Sequence, residues 1–217
     1  MSQQYPQWVE PYLSKEESEK ISEIVKDIEL HTSGEVVPVI IKSSSTVGHV
    51  PLILLPFTLL VGFFILSEWH FNLESEWLML INISTSIILT KILSPLSFIE
   101  RLLTPKGDQQ HQVELRAEKE FYDSQLSATQ GQTGILIFIS LMERQVVVLG
   151  DQAISQKLPS ETWQSVVDII VTGIKKKNLF LGLEGGLQAC GKILREHFPI
   201  QDNDTNELQN HLVIKEK

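Results

Sequence analysis

Between Val50 and Leu66 the chain reads VPLILLPFTLLVGFFIL, seventeen residues with no charge and no strongly polar group beyond Thr58. At about 1.5 Å rise per residue, such a run covers most of a ~30 Å hydrocarbon core, for which ~20 residues are typical. Pro51 and Pro56 suit its first turns and a kink better than the interior of a soluble helix. A second run, Trp77 to Leu93 (WLMLINISTSIILTKIL), is more polar, with Asn82, Ser84, Thr85, Ser86 and, near its end, Lys91. Lys91 is placed to snorkel, and the span is expected to extend to Phe98, giving 77–98 against 50–66 for the first. The alternative is a pair of buried core helices, the usual reading of shorter apolar runs.

The flanks favour a membrane hairpin. The connection Ser67 to Glu76 (SEWHFNLESE) carries Glu68, Glu74 and Glu76 but no Lys or Arg, and Trp69 and Trp77 suit an interfacial aromatic belt. Lys42, Lys91, Arg101 and Lys106 lie on the outer flanks. By the positive-inside rule the connection is outside, and both flanks, with the termini, are cytoplasmic. The N-terminal MSQQYPQWVE has neither a basic n-region nor an apolar h-region, so the first span is expected to serve as an uncleaved anchor. The lipid bilayer is thus the first expected partner.

Composition narrows the remainder. A net charge of −9 over 217 residues repels polyanions, which argues against a nucleic-acid partner. The single cysteine, Cys190, closes no intrachain disulfide and builds no cysteine zinc site. Mean hydropathy, +0.04, averages an acidic soluble part with the two apolar runs.

After a tail over residues 1–13, Ser14-Lys15-Glu16-Glu17 forms a capping box with Leu13 as its staple. Ile21, Ile24, Val25 and Ile28 then make one apolar helical stripe, which ends by Gly34. Glu35 to Ile41 (EVVPVII) is a buried strand, and Pro38 predicts an edge position or a bulge. Beyond the apolar runs, Asp108 to Leu126 is helical, with Val113, Ala117 and Phe121 inward and Glu114, Glu118, Lys119 and Glu120 outward. Ile135 to Leu141 and Gln145 to Leu149 form a tight hairpin around Met142-Glu143-Arg144. A helix from about Ser160 turns Trp163, Val166, Val167, Ile170 and Ile174 inward and ends in Lys175, Lys176 and Lys177.

The last helix, Leu179 to Phe198, contains Gly182, Gly185, Gly186 and Gly191 without a phosphate-loop or dinucleotide pattern, so close helix packing is expected. Residues 200–217 show too little apolar periodicity to require structure. One helix and one strand cannot bury their own apolar faces, so 14–42 and 108–199 must combine. The expected fold is a small mixed α/β sheet layered with helices and interrupted by a transmembrane helical hairpin.

Several short stretches occur in order: Thr32-Ser33-Gly34-Glu35, Gln132 to Ser140 (QTGILIFIS), Glu143-Arg144-Gln145-Val146, Asp151-Gln152-Ala153-Ile154, Trp163, Gly182-Leu183 and His197-Phe198-Pro199. With these motifs the chain resembles the TPM domain family, named for a thylakoid lumen protein, a photosystem II repair protein and a modulator of levamisole receptors. The resemblance spans roughly residues 14–199 and is nearest the membrane subgroup, in which apolar segments interrupt the domain after its first strand. It implies acid phosphatase activity and divalent-metal binding in some members, and auxiliary roles for membrane complexes in others. Typical members carry two acidic residues just before the hairpin arginine; here Met142-Glu143 precede Arg144.

A site is expected where strand ends meet helix starts. Glu35, Glu143 and Asp151 are the candidate oxygen ligands for Mg²⁺ or Ca²⁺, and Arg144 the candidate phosphate or anion contact. Against this, Asp151 stands where a helix N-cap belongs, Glu35 is placed to cap a strand, and Glu143 with Arg144 fits a solvated turn pair. The histidines (His31, His49, His70, His111, His197, His211) lie at no ligand spacing, and Cys190 has no nucleophile's partner, so a core thiol is expected. The leading expectation is a membrane-anchored binding or regulatory module for a membrane protein partner; the alternative is a divalent-metal-dependent, acid-phosphatase-like hydrolase.

Overall fold

Four segments rich in Val and Ile make one mixed sheet. β1 (Glu35–Ile41) and β2 (Gly134–Ser140) are buried along their whole length, β3 (Gln145–Gly150) is half-buried, and β4 is the three-residue Val213–Lys215. The order is β3-β2-β1-β4. β1 runs parallel to β2 with Glu35 opposite Gly134 and Ile41 opposite Ser140, and β2 returns antiparallel into β3. Uninterrupted apolar strands such as β1 and β2 are what a sheet covered on both faces requires. The computed structural model describes residues 5–45, 48–68, 74–129, 131–200, 207–208 and 211–216; Trp69 and His70 lie outside them.

β1 is central, not an edge, which corrects the expectation drawn from Pro38. β4 pairs only with Val39, Ile40 and Ile41. Glu35 donates its N–H toward β2 (Thr133 O, 3.3 Å), whereas Val36 donates to the other side, to the Glu29 carboxylate at 2.9 Å. By alternation Pro38 turns its ring nitrogen to that same outer side, one residue before β4 begins. The missing donor therefore falls where no strand needs it.

The described residues group into two compact units, Met1–Ser44 with Gln110–Lys217, and Ser45–Gln109. In the first, helices cover both sheet faces. α1 (Lys15–Glu29), α7 (Gln164–Lys175) and α8 (Leu179–His197) bury Ile21, Val25, Ile170, Leu183 and Leu187 against Val36, Ile40, Ile135, Ile137 and Ile139. On the other face α5 (Lys106–Asp123) packs Val113, Ala117 and Phe121 on Val39, Leu136 and Phe138. Both capping-box bonds of α1 are present: Ser14 N–H to Glu17 Oε2 at 2.8 Å and Glu17 N–H to Ser14 Oγ at 3.2 Å.

The glycines of α8 pack as expected. A Cβ at Gly173 of α7 would lie 2.5 Å from the Gly182 Cα, one at Gly186 would meet Ile170, and one at Gly191 would meet Ile28 of α1. Two backbones that approach this closely leave no space for a side chain. Cys190 is fully buried beside them, and burial pushes its thiol up to about 12.

Two outward or unstructured expectations are corrected. In the N-terminal tail, residues 5–13 are packed: Val9 and Leu13 are fully buried and Tyr5 Oη donates to Leu13 O at 2.7 Å. Glu120 is buried, not exposed: Arg116 reaches it from one turn earlier at 2.8 Å, and Lys215 of β4 pairs with its other oxygen. Part of 200–217 is ordered for the same reason, since β4 gains both a β1 ladder and that ion pair. A three-residue strand has no periodicity for a sequence to display.

The second unit contains α2 (Val50–Glu68) and α3 (Ser75–Leu93), both long and apolar enough to cross a membrane, followed by the short α4 (Ser97–Leu103). α3 stops at Leu93 instead of reaching Phe98, because Pro95 cannot continue the helical ladder. α2 and α3 pack along a seam of small and polar groups. Thr58, Ser86 and Thr90 are buried there, the Thr58 and Thr90 hydroxyls are 3.4 Å apart, and Asn82 donates to Leu59 O at 3.2 Å across the pair. Asn82, Ser86 and Thr90 recur every fourth residue, so these three polar groups lie on one face, against α2, while Ser84, Thr85 and Lys91 are exposed.

Candidate functional site

Hydrogen-bonding groups collect at the carboxyl ends of β1 and β2. The turn Leu141 to Arg144 joins β2 to β3, and Arg144 takes the left-handed φ of 56° that closes it. Leu141 and Met142 donate their N–H groups to Ile41 O (3.1 Å) and Lys42 O (3.0 Å), which fastens the turn to the end of β1. The chain leaving β1 continues as Lys42-Ser43-Ser44 beside that turn.

Glu143 is the centre of this cluster. It is 5% exposed, and its Oε1 accepts from the Ser44 N–H at 3.1 Å and from the Ser43 hydroxyl at 3.4 Å. Its Oε2 accepts from the Ser140 hydroxyl, and Ser44 Oγ donates to Ser140 Oγ at 2.9 Å. A carboxylate buried this way is stabilised by charge-assisted hydrogen bonds in place of water. Arg144, by contrast, points to solvent. The pair is therefore divided: Glu143 is an internal tie and Arg144 an exposed cation beside it.

Glu35 and Asp151 lie at the opposite end of the same strands. Glu35 pairs with Gly134 at the start of β2, and Asp151 donates its N–H to Gly134 O at 2.8 Å as the chain leaves β3. Six residue rises separate that end from Glu143, about 20 Å at ~3.3 Å each. Asp151 caps α6 (Gln152–Lys157), accepting from the Gln152 N–H at 2.8 Å. Glu35 is buried, and its Oε1 accepts from the Glu207 N–H at 3.0 Å.

Beside Glu35 stands Glu29 at the end of α1. Its carboxyl is pushed up to about 8, chiefly by burial and further by the charge of Glu35, against the lowering effect of the Val36 N–H it accepts. Sequence reasoning did not single out Glu29, because its proximity to Glu35 depends on how the chain turns at Thr32 to Gly34.

These positions do not fit one divalent cation. Glu143 cannot meet Glu35 or Asp151 across the length of the sheet, and among the described residues no three His, Cys, Asp or Glu side chains gather as a metal-holding group. Ser43, Ser44 and Ser140 were also missed. Their signal is local: hydroxyl residues directly after one strand and at the end of its neighbour, with a carboxylate three residues beyond Ser140.

Residues 99–193 match the TPM domain family. No curated protein matches the chain. Among solved structures it is similar to the NMR structure of BA42 protein from the psychrophilic bacterium Bizionia argentinensis, at 19% identity and a TM-score of 0.59, over 99% of this chain and 100% of that one. At that identity the likeness concerns the fold. The family resemblance drawn from the QTGILIFIS, ERQV and DQAI stretches agrees with the domain match, in which residues 99–193 correspond to the TPM domain.

Proposed function

We propose that the chain is a membrane-anchored TPM-type module whose α/β unit binds or regulates a partner protein in the same membrane. One observation carries this reading: the α2–α3 pair buries Thr58, Ser86 and Thr90 between its helices and turns most of its large apolar side chains outward. Leu52, Phe57, Phe63, Trp77, Ile88 and Ile92 are each more than half exposed, while Thr58, Ser86 and Thr90 are buried between the helices. In water that arrangement exposes a large apolar surface; in lipid it exposes none to water and satisfies the polar groups within the pair. Exposed Thr85 fits too, since its hydroxyl donates to the Ile81 carbonyl at 2.7 Å.

By the positive-inside count, Lys42, Lys91, Arg101 and Lys106 put both flanks, and the α/β unit with them, in the cytoplasm. The test has three readouts. After alkaline carbonate extraction the chain should stay in the membrane pellet, and release into the supernatant would end the anchoring proposal. A reporter fused after Lys217 should signal from the cytoplasm. In mild detergent the chain should migrate as part of a larger complex, and a lone protomer would remove the partner.

The second reading is a divalent-metal-dependent phosphatase, favoured by Arg144 standing exposed beside Glu143 at the carboxyl ends of two parallel strands. Hydrolysis of an aryl phosphate that requires Mg²⁺ or Ca²⁺ and disappears in Arg144→Ala would replace the module reading with this one. Inactivity with every metal would remove it.

A further inference from the structure

The short helix α4 is the part of the second unit that no span explains. Its start follows the end of α3 by only Ser94-Pro95-Leu96. Its end is held at the beginning of α2: His49 Nε2, one residue before α2, lies 3.3 Å from Leu103 O and 3.2 Å from the Thr104 hydroxyl. A helix that begins at the end of one hairpin arm and finishes at the start of the other runs across the hairpin's open base. Its seven residues measure about 10 Å, which matches the 8–10 Å between the axes of packed helices.

The strut is fixed. Thr104 Oγ1 donates to Glu100 O at 2.7 Å, and buried Gln109 donates through its Nε2 to Arg101 O at 2.9 Å and Thr104 O at 2.7 Å. Of the carbonyls that the ladder of α4 leaves open, those of Arg101, Leu103 and Thr104 thus have partners. Apolar side chains nevertheless stand outward from it and from the preceding turn: Leu96 is 47% exposed, Phe98 64% and Leu102 66%, the last two one turn apart on the same face. Cations lie around them, with Lys91 in the last turn of α3, Arg101 in α4 and Lys106 just beyond.

From this geometry we infer that α4 is a membrane-surface helix, lying in the plane of the bilayer with Phe98 and Leu102 in the boundary between headgroups and acyl chains and Lys91, Arg101 and Lys106 toward the lipid phosphates. The occupant of the exposed face is the phospholipid interface. The polarity is that of interfacial helices, apolar on one side and polar on the other, where three cations, Lys91, Arg101 and Lys106, outnumber the one carboxylate of α4, Glu100, on a segment too short to span. This rests on the membrane reading above, because only a hairpin in lipid puts its base at a bilayer surface. It adds a second attachment, which fixes the depth and rotation of the hairpin.

The depth of a nitroxide tests it. Phe98→Cys and Leu102→Cys are labelled in the full chain, with Ile88→Cys on the outer face of α3 and Leu115→Cys on α5 as references; buried Cys190 remains unlabelled. In vesicles of phosphatidylcholine and phosphatidylglycerol, collision with oxygen is compared with collision with a water-soluble nickel chelate. Position 88 should be deep, 115 aqueous, and 98 and 102 both intermediate. If 98 and 102 are as aqueous as 115 while 88 is deep, the surface helix is wrong and the membrane reading stands. If 98 and 102 are as deep as 88, α4 is part of the span and the proposal is equally overturned. If 88 itself is aqueous, the membrane reading fails and the proposal with it.

Discussion

The two units of this chain put their polar and apolar groups in opposite places. In the α/β unit Phe138, Ile137 and Leu183 are fully buried, and charged groups such as Lys15 and Glu19 lie outside. In the α2–α3 pair Phe63 and Ile88 lie outside, and Thr58, Ser86 and Thr90 lie between the helices. On the membrane reading proposed above, one chain follows two solvent rules: the first excludes water from apolar surface, and the second needs only that polar groups find one another.

The largest expected effect sets a core phenylalanine against an outer one. Phe138→Ala should cost about 3–5 kcal/mol by denaturant unfolding, the usual loss for a fully buried ring. Phe63→Ala, at a ring 62% exposed, should change thermal stability in detergent by less than about 0.5 kcal/mol. Equal losses would mean that Phe63 is enclosed by more of the protein than its edge-to-face neighbour Phe64.

The glycine contacts sharpen the same contrast. Gly173→Ala would drive a methyl group into the Gly182 backbone and should cost about 1–3 kcal/mol. At Gly62 a new Cβ meets the Asn82 side-chain amide, which can rotate away, so Gly62→Ala should cost less. Calorimetry of both variants in detergent would break the comparison if their order were reversed.

Next is Glu120→Gln. It leaves Arg116 and Lys215 without their carboxylate; because both are partly solvated, the loss should be about 1–2 kcal/mol, less than for a fully enclosed pair. Hydrogen exchange should accelerate at Val213 to Lys215 before it does at β2, and unchanged exchange there would mean that the ion pair does not hold β4.

Glu29 gives a pH signature to the α/β unit. With its folded carboxyl near 8 against an ordinary 4.5, the native state binds a proton the unfolded chain releases. That contribution is complete below about 4.5 and is lost as pH rises through about 8. Glu29→Gln keeps an acceptor for the Val36 N–H and removes the titration. It should stabilise the fold by about 1 kcal/mol at pH 8, after allowing for partial solvation, and flatten the pH dependence between those limits.

The smallest effect belongs to the seam. If the pair lies in lipid as proposed, Thr90→Val should cost about 0.6 kcal/mol in detergent, the typical worth of an interhelical polar contact there.

What the sequence displayed was whatever repeats locally. The capping box at Ser14 to Glu17, the stripe of α1, the β2–β3 hairpin and the glycine-packed α8 each depend on residues a few positions apart. β4 was hidden because three residues show no period and its stability comes from β1 and Glu120, far away in sequence. The edge predicted from Pro38 failed because a proline's demand is local to one residue and one side of a strand, while strand order is global. The candidate site was legible only as a set of residue types: Glu35, Asp151 and Glu143 were all near strand ends, but nothing local reveals that these are opposite ends. In the second apolar run the pattern was present, since Asn82, Ser86 and Thr90 are spaced as one helical face, but a mean over the segment erases it.

The parallel pairing of β1 with β2 also sets a timetable. Ile41 and Gly134 lie on either side of the whole second unit, so the ribosome must make about ninety residues after β1 before its neighbour exists. At ~5–20 residues per second that is about 5–20 s, during which a strand destined for complete burial has no partner. Two apolar helices are synthesised in that interval. The sheet therefore closes only after they have emerged, and a chain whose hairpin is delayed leaves EVVPVII open to whatever other strand edge is at hand.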